Sequence, residues 1–125
     1  MSDAPSVAPH YRWQDLPEDA PLEGLRRRRV LGEKAMLSRV ALEKGCSVAS
    51  HDHDNEQFVV LISGTMRFCI AEGTDAAHQV TLREGEVLHL PSGTPHSAFA
   101  EEDSVVLDIF SPPSEGTGLD ELASS

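Results

Sequence analysis

Several features that would mark a particular class of protein are scarce in this sequence. Its 125 residues include 10 lysines and arginines against 21 aspartates and glutamates, for a formal net charge of −11. This imbalance argues against nucleic acid and against anionic membrane surfaces as partners. No apolar run approaches the ~20 residues that a membrane-spanning helix needs, so no membrane partner is expected.

Cysteine is also rare, because only Cys46 and Cys69 are present. The N-terminus lacks the basic and apolar regions of a signal peptide, so we expect a cytoplasmic protein with both thiols reduced. No long stretch of the sequence repeats apolar residues with the spacing of a helix. Many short apolar stretches, separated by turns about every 8 to 12 residues, predict an all-β barrel or sandwich.

The composition divides the single predicted domain into three parts. Residues 1–22 contain four of the eight prolines, which is typical of an extended N-terminal arm. Residues 23–113 are the predicted barrel, and residues 114–125, rich in Ser, Gly and Glu, are a predicted mobile tail. Trp13 and Leu16 are expected to dock on the barrel or on a second subunit, and we expect a homodimer.

Arginines raise two open questions near the start of the barrel. The run 26–29 fits a solvated strand edge or a counter-charge to the acidic surface, and also an anion or subunit contact. The stretch 30–42 predicts two short strands divided at Gly32 and Glu33. In the second of these strands Arg39 alternates with Ser38, so it faces either solvent or a pocket, where it would bind substrate.

A histidine pair lies in the stretch 45–64, GCSVASHDHDNEQFVVLISG. In an extended strand alternate side chains share a face, so His51, His53 and Gln57 can point the same way, whereas Glu56 cannot. Imidazole nitrogens and an amide oxygen suit a transition metal. The alternatives are a pair of surface histidines, or Glu56 as the oxygen ligand if the strand is bulged.

A third histidine follows in the stretch 85–96, GEVLHLPSGTPH. Its prolines and glycines predict a tight turn that holds His96 in place. The two stretches together resemble the cupin signature, G-x5-H-x-H-x3-E followed by G-x5-P-x-G-x2-H, with Gln57 where glutamate is usual. The resemblance implies a double-stranded β-helix, or jelly-roll barrel. It also implies a divalent transition metal (Mn, Fe, Ni, Co or Zn) held by His51, His53, Gln57 and His96.

Two further side chains are candidate catalytic groups. Asp108 alternates with aliphatic residues in the stretch 105–110, VVLDIF, and can act as general base or acid if it faces the cavity. The alternative is an aspartate that faces water or pairs with an arginine such as Arg39. His89 either supplies a proton near the metal or lies on the outside of its strand.

The ending DIFSPP, residues 108–113, resembles that of a subset of small cupins that includes the pectin-degradation type, which converts unsaturated uronates to linear keto forms. There the aspartate, phenylalanine and arginine of the ending act on the substrate. Asp108 and Phe110 match, but Ser114 stands in place of the arginine. Small manganese cupins with hydroxynitrile lyase activity share the H-x-H-x3-Q pattern.

Three functions are therefore considered for a small-molecule substrate or ligand. The first is a metal-dependent lyase, isomerase or tautomerase that acts on a small carbonyl or sugar-acid compound, with Phe110 and Arg39 contacting it. The second is a dioxygenase that uses Fe or Ni, and the third is a non-catalytic metal or ligand-binding module. The neutral ligand set leaves a divalent ion its full charge, which favours the first.

Overall fold

A computed structural model describes residues 7–113, which form two antiparallel sheets. The strands are β1 (Asp19–Leu22), β2 (Leu25–Leu31), β3 (Met36–Leu42), β4 (Ser47–His51), β5 (Glu56–Ser63), β6 (Thr65–Ile70), β7 (His78–Arg83), β8 (Val87–Leu90), β9 (His96–Ala100) and β10 (Ser104–Ser111). One sheet has the order β1-β2-β3-β10-β5-β8 and the other the order β4-β9-β6-β7. The predicted all-β jelly-roll barrel is confirmed. No helix in the described range is long and apolar enough to cross a membrane.

Strict alternation of side chains creates the core between the two sheets. Along β3 the four buried side chains are Met36, Ser38, Val40 and Leu42. They belong to one side of the strand, as the sequence pattern indicates, because successive side chains of a strand point to opposite faces. Similar alternation in β5, β6 and β10 gives a continuous apolar interior.

Gly64 carries the chain from β5 in one sheet to β6 in the other. Its φ is +94°, and a Cβ placed on it would lie 2.2 Å from Ser104 Oγ and 2.5 Å from the Asp103 carbonyl oxygen. An L side chain would be strained at that φ and would also overlap backbone atoms. The crossing between the sheets therefore requires glycine.

The N-terminal segment lies along the edge of the larger sheet. It contains a short 3-10 turn, Trp13–Asp15, and β1, which pairs with β2. Arg28 Nη1 donates to the carbonyl oxygens of Trp13 at 3.3 Å and Leu16 at 2.6 Å, which ties the segment to the barrel. A homodimer that uses Trp13 stays a prediction, and the predicted mobile tail lies outside the described residues.

Candidate metal centre

Three histidines meet at one end of the barrel although they are far apart in the chain. His51 ends β4 and His96 begins β9, and these two residues are register partners in the smaller sheet. His53 follows in the loop before β5. The ring centroids of His51 and His96 lie 4.5 Å apart, and those of His53 and His96 lie 5.2 Å apart. Ligand atoms of all three side chains lie within 4.8 Å of one another, so one cation can contact all of them.

The backbone orients each imidazole in the same manner. The Nδ1 atom lies near the carbonyl oxygen two residues away in sequence, at 2.9 Å for His51, 3.0 Å for His53 and 2.8 Å for His96. A carbonyl oxygen only accepts hydrogen bonds, so each Nδ1 carries the proton and donates it. A neutral imidazole with its proton on Nδ1 has its lone pair on Nε2, the form in which imidazole binds a metal.

Gln57 supplies an oxygen donor from β5. Its Oε1 lies 3.1 Å from His53 Nε2, and its Nε2 donates to Asp108 Oδ1 at 3.1 Å. Asp108 Oδ1 accepts this hydrogen bond, so Asp108 keeps the amide nitrogen on its own side and turns Oε1 towards the histidines. Glu56 lies on the other face of β5, where its Oε2 contacts His89. The structure therefore brings Gln57 to the cluster and leaves Glu56 outside it.

Burial changes the proton affinity of two groups at this end of the barrel. Loss of water lowers the pKa of His96 to about 4, opposed by its hydrogen bond to the Thr94 carbonyl and assisted by the nearby His51 and His53. Loss of water also raises the pKa of Asp108 to about 7, opposed by the hydrogen bond from Gln57. At neutral pH, His96 is thus unprotonated and Asp108 can both hold and release a proton.

The donor set fits a divalent transition metal. Three imidazole nitrogens and one amide oxygen are neutral donors of the kind that Mn, Fe, Co, Ni and Zn accept. The backbone hydrogen bonds at Nδ1 are the outer contacts that such ligands usually have. The predicted ligands His51, His53, Gln57 and His96 are therefore all placed where one ion could be bound.

The cavity beside the cluster is small and mostly apolar. Its volume is about 50 Å³, and its polar lining side chains include Gln57 and Asp108. Phe110 also lines it, with its ring centroid 5.7 Å from that of His53. The space admits only a few water-sized groups, so a larger compound could insert only its reacting end.

Two predicted site residues are not brought to this cavity. His89 is about half exposed on the outer face, where its ring stacks on Phe58 at 4.5 Å and its Nε2 lies 2.7 Å from Glu56 Oε2. Arg39 occupies the opposite side of β3 from Ser38, beside its register partner Arg28 on β2. Neither lines the cavity, since both alternate with inward-facing residues.

Asn55 is a site residue whose role sequence reasoning missed. Its carbonyl oxygen accepts from His53 Nδ1, and its side chain donates to the Pro112 carbonyl oxygen. The buried amide thus ties the loop that carries His53 to the end of β10. Its spacing of two residues from His53 places it on the same face as that histidine. Its hydrogen-bond partner, 57 residues away in sequence, cannot be identified from the sequence.

Known proteins similar to this chain agree on the fold. A sequence-family profile described as Cupin domain matches residues 38–110, and no curated protein matches. KdgF from Halomonas sp. superposes with a TM-score of 0.78 at 21% identity, over 87% of this chain and 97% of that one. An RmlC-like cupin from Shewanella frigidimarina NCIMB 400 gives 0.76 at 19%, over 86% and 95%.

Oxalate decarboxylase from Bacillus subtilis is also similar, with a TM-score of 0.79 at 24% identity. The match covers 92% of this chain but 33% of that one, so this chain corresponds to about one third of the enzyme. Another structure of that enzyme is described as having Mn(II) centres. At such identities these likenesses concern the fold.

Proposed function

The chain belongs to the cupin domain family, and on that basis we propose that it is a metal-dependent enzyme that moves a proton on a small carbonyl or sugar-acid compound. Lyase, isomerase and tautomerase reactions all fit this description. The observation that carries the proposal is a carboxyl group, Asp108, buried beside the histidine cluster and hydrogen-bonded to Gln57. Burying a carboxyl group in an apolar cavity without a full set of partners costs stability, so a carboxyl group kept in such a place is a candidate functional group.

The metal would be held by the three Nε2 atoms and Gln57 Oε1. When bound, a divalent ion supplies Lewis-acid chemistry that polarises a substrate oxygen. The neutral ligands leave the ion its full charge, which favours this role over oxygen activation. The Mn(II) centres described for oxalate decarboxylase support a transition metal here and do not select which one.

Asp108 would take the proton from the substrate carbon and return it elsewhere. A general base works best when its pKa lies near the working pH, and burial raises the pKa of Asp108 to about 7. Its hydrogen bond from Gln57 fixes one oxygen at 3.1 Å and leaves the other oxygen to contact substrate. Phe110 contributes an apolar wall to this side of the cavity, next to the His53 ring.

The sugar-acid class is supported by the ending at residues 108–113, which resembles that of the uronate-linearising cupins. Similarity to the KdgF structure is consistent with it at the level of fold. Ser114 in place of the arginine leaves the recognition of a uronate carboxylate to some other residue.

The test combines metal analysis with an anaerobic activity screen of the full-length protein. The screen contains 4,5-unsaturated uronates and small carbonyl compounds, and it compares wild type with Asp108→Asn. We expect Asp108→Asn to bind metal as wild type does and to lose at least about 100-fold in kcat, the usual contribution of a general base. Asp75→Asn, in the exposed β6–β7 loop, is the matched control and should remain fully active.

Three results would contradict this proposal. Turnover that survives in Asp108→Asn would remove the proton-transfer role. Turnover that requires oxygen would instead favour a dioxygenase, and tight metal binding without any turnover would favour a binding module.

A further inference from the structure

The two sheets present different side chains to the outside of the barrel. On the smaller sheet, the outward side chains of β6 and β7 are mostly polar: Thr65, Arg67, Cys69, Gln79, Thr81 and Arg83. On the central strands of the larger sheet, the partly exposed outward side chains include Leu37, Phe58, Val60, Val105, Leu107 and Ile109. An antiparallel sheet normally has polar side chains on a face that meets water. The outer face of the larger sheet is therefore suited to contact with another molecule.

The two edges of this outer face have complementary shapes. Beside β2, the N-terminal segment and the sheet form a groove of about 470 Å³, whose lining includes Trp13, Leu16 and Val30. At the opposite edge, Val87 of β8 is 58% exposed and Ile62 of β5 is 47% exposed. Aliphatic side chains that protrude at one edge can thus enter an apolar groove at the other edge of a second copy.

The charges of the outer face are also divided between its edges. Arg26 is exposed on β2 and Arg39 is half-buried on β3, and neither has a hydrogen-bond or ion-pair partner among residues 7–113. The turn between β7 and β8, at the other edge, carries Glu84 and Glu86. A partner that brings this acidic turn to the arginines would pair charges that are left unpaired in the single chain.

A two-fold axis satisfies both relations at once. We consider an axis that lies between two such faces, over β10 and parallel to the strands. Because β2 and β8 are each two strands away from β10, β8 of each copy then lies over β2 of the other. One register row joins Val87 to Arg28 through Val60, Leu107 and Arg39. Val87 therefore comes beside the groove, and the acidic turn comes close to the arginines.

The size of the outer face is adequate for a stable dimer. Five strands about 4.8 Å apart, each about seven residues long at ~3.4 Å per residue, give a flat projection of roughly 570 Å². The accessible area of a sheet face exceeds its projection, and the N-terminal segment adds to it. The total is comparable with the ~800 Å² that each partner contributes to a standard interface.

We infer that the outer face of the larger sheet binds a second copy of this chain, in a two-fold dimer in which Val87 enters the groove beside Trp13. This surface is separate from the histidine cluster, which lies between the two sheets. The inference does not depend on the proposed function, and metal content can serve as a measure of correct folding in its test.

The experiment measures the mass of the full-length protein by analytical ultracentrifugation. Concentrations run from about 0.1 to about 100 µM, because interfaces of this size have Kd values up to the micromolar range. We expect wild type to have twice the mass of one chain. Val87→Glu should raise the dimer Kd at least about 30-fold, because it places a carboxylate in an apolar groove. Thr81→Glu, exposed on the outer face of the smaller sheet, is the matched control and should dimerise as wild type does.

A charge exchange tests whether the occupant is a second copy. Arg26→Glu should weaken the dimer by about 10-fold, because it faces the acidic turn with a like charge. Adding Glu84→Arg to the same chain should restore the dimer, since the pair is then reversed in both copies.

Three results would overturn the inference. They are a monomeric wild type over the whole concentration range, a dimer that Val87→Glu and Arg26→Glu both leave intact, and a dimer that Thr81→Glu dissociates equally well. A monomer that sediments with phosphatidylcholine vesicles would assign the face to lipid instead. Unchanged metal content and urea unfolding show that a variant is folded. If Val87→Glu is not, Ile62→Glu decides by the same criteria.

Discussion

At the scale of single residues, the histidine cluster depends on side chains that the backbone turns inward. Each Nδ1 donates to a carbonyl two residues away, so each ring is oriented before an ion arrives. Such orientation lowers the entropy lost when the ion binds and fixes which nitrogen faces it.

His53→Ala should therefore lose the metal. It removes one of four donors and also the group that Gln57 Oε1 contacts, so we expect affinity to fall by more than about 100-fold, beyond the effect of losing an outer hydrogen bond. Metal content of the purified protein and a competition titration with a chelator measure this. His78→Ala, an exposed histidine at the start of β7, is the control. Equal metal content in His53→Ala and wild type would place the metal elsewhere.

At the scale of elements, the connections between strands set the position of the site. Gly64→Ala should destabilise the barrel more than Gly85→Ala, although both glycines have similar φ values of +94° and +85°. Both substitutions strain the backbone by about 1–2 kcal/mol. A Cβ at Gly85 meets nothing within 4 Å, whereas one at Gly64 overlaps Ser104 and the Asp103 carbonyl. Overpacking of this kind adds about 1–3 kcal/mol.

Urea unfolding of both variants measures that difference. An equal loss of stability in the two proteins would mean that the β5–β6 crossing relaxes without cost. The comparison is informative because the shared φ strain cancels, which leaves the contact with the β9–β10 loop.

Strand alternation explains how much of this site could be predicted from sequence. In an extended strand Gln57 shares the side of His51 and His53 and Glu56 does not, so Gln57 is expected at the cluster and Glu56 on the other face, and the structure agrees. The same logic does not decide which side of its strand His89 occupies, because the strand is short. The inward direction of its neighbours Leu88 and Leu90 is set by the pairing of β8 with β5. Pairing between distant strands has no local signal.

Arg29 shows the same limit in another form. A run of four arginines indicates a solvated edge, and nothing local distinguishes the inward pair from the outward pair. The register with β3 makes that distinction, because it sets Arg29 opposite the buried Ser38. An inward-facing charge within a run of like charges is therefore easily missed by sequence patterns.

At the scale of the whole molecule, two buried groups couple folding to pH in opposite directions. His96 has a folded pKa of about 4, below its ordinary value of 6.5, so the unfolded chain binds more protons and stability rises with pH between these values. Asp108 has a folded pKa of about 7, above its ordinary 3.8, so the folded chain binds more protons and stability falls with pH across that interval. Each slope is at most about 1.4 kcal/mol per pH unit.

The two opposite effects of pH on stability nearly cancel in the metal-free wild type between about pH 4 and pH 6.5. Substituting Asp108 leaves the effect of His96 alone. Asp108→Asn keeps an oxygen that accepts from Gln57 and removes the ionisable group, so only the His96 slope remains. We expect metal-free Asp108→Asn to gain stability relative to wild type as pH rises from about 4 to about 7, with no further gain above that range. Urea unfolding in EDTA at half-unit pH steps measures this difference. A constant difference in stability across that range would mean that Asp108 is ionised in the folded protein. The cavity around it would then contain water. Its proposed role as a base would fail, because that role depends on an apolar cavity.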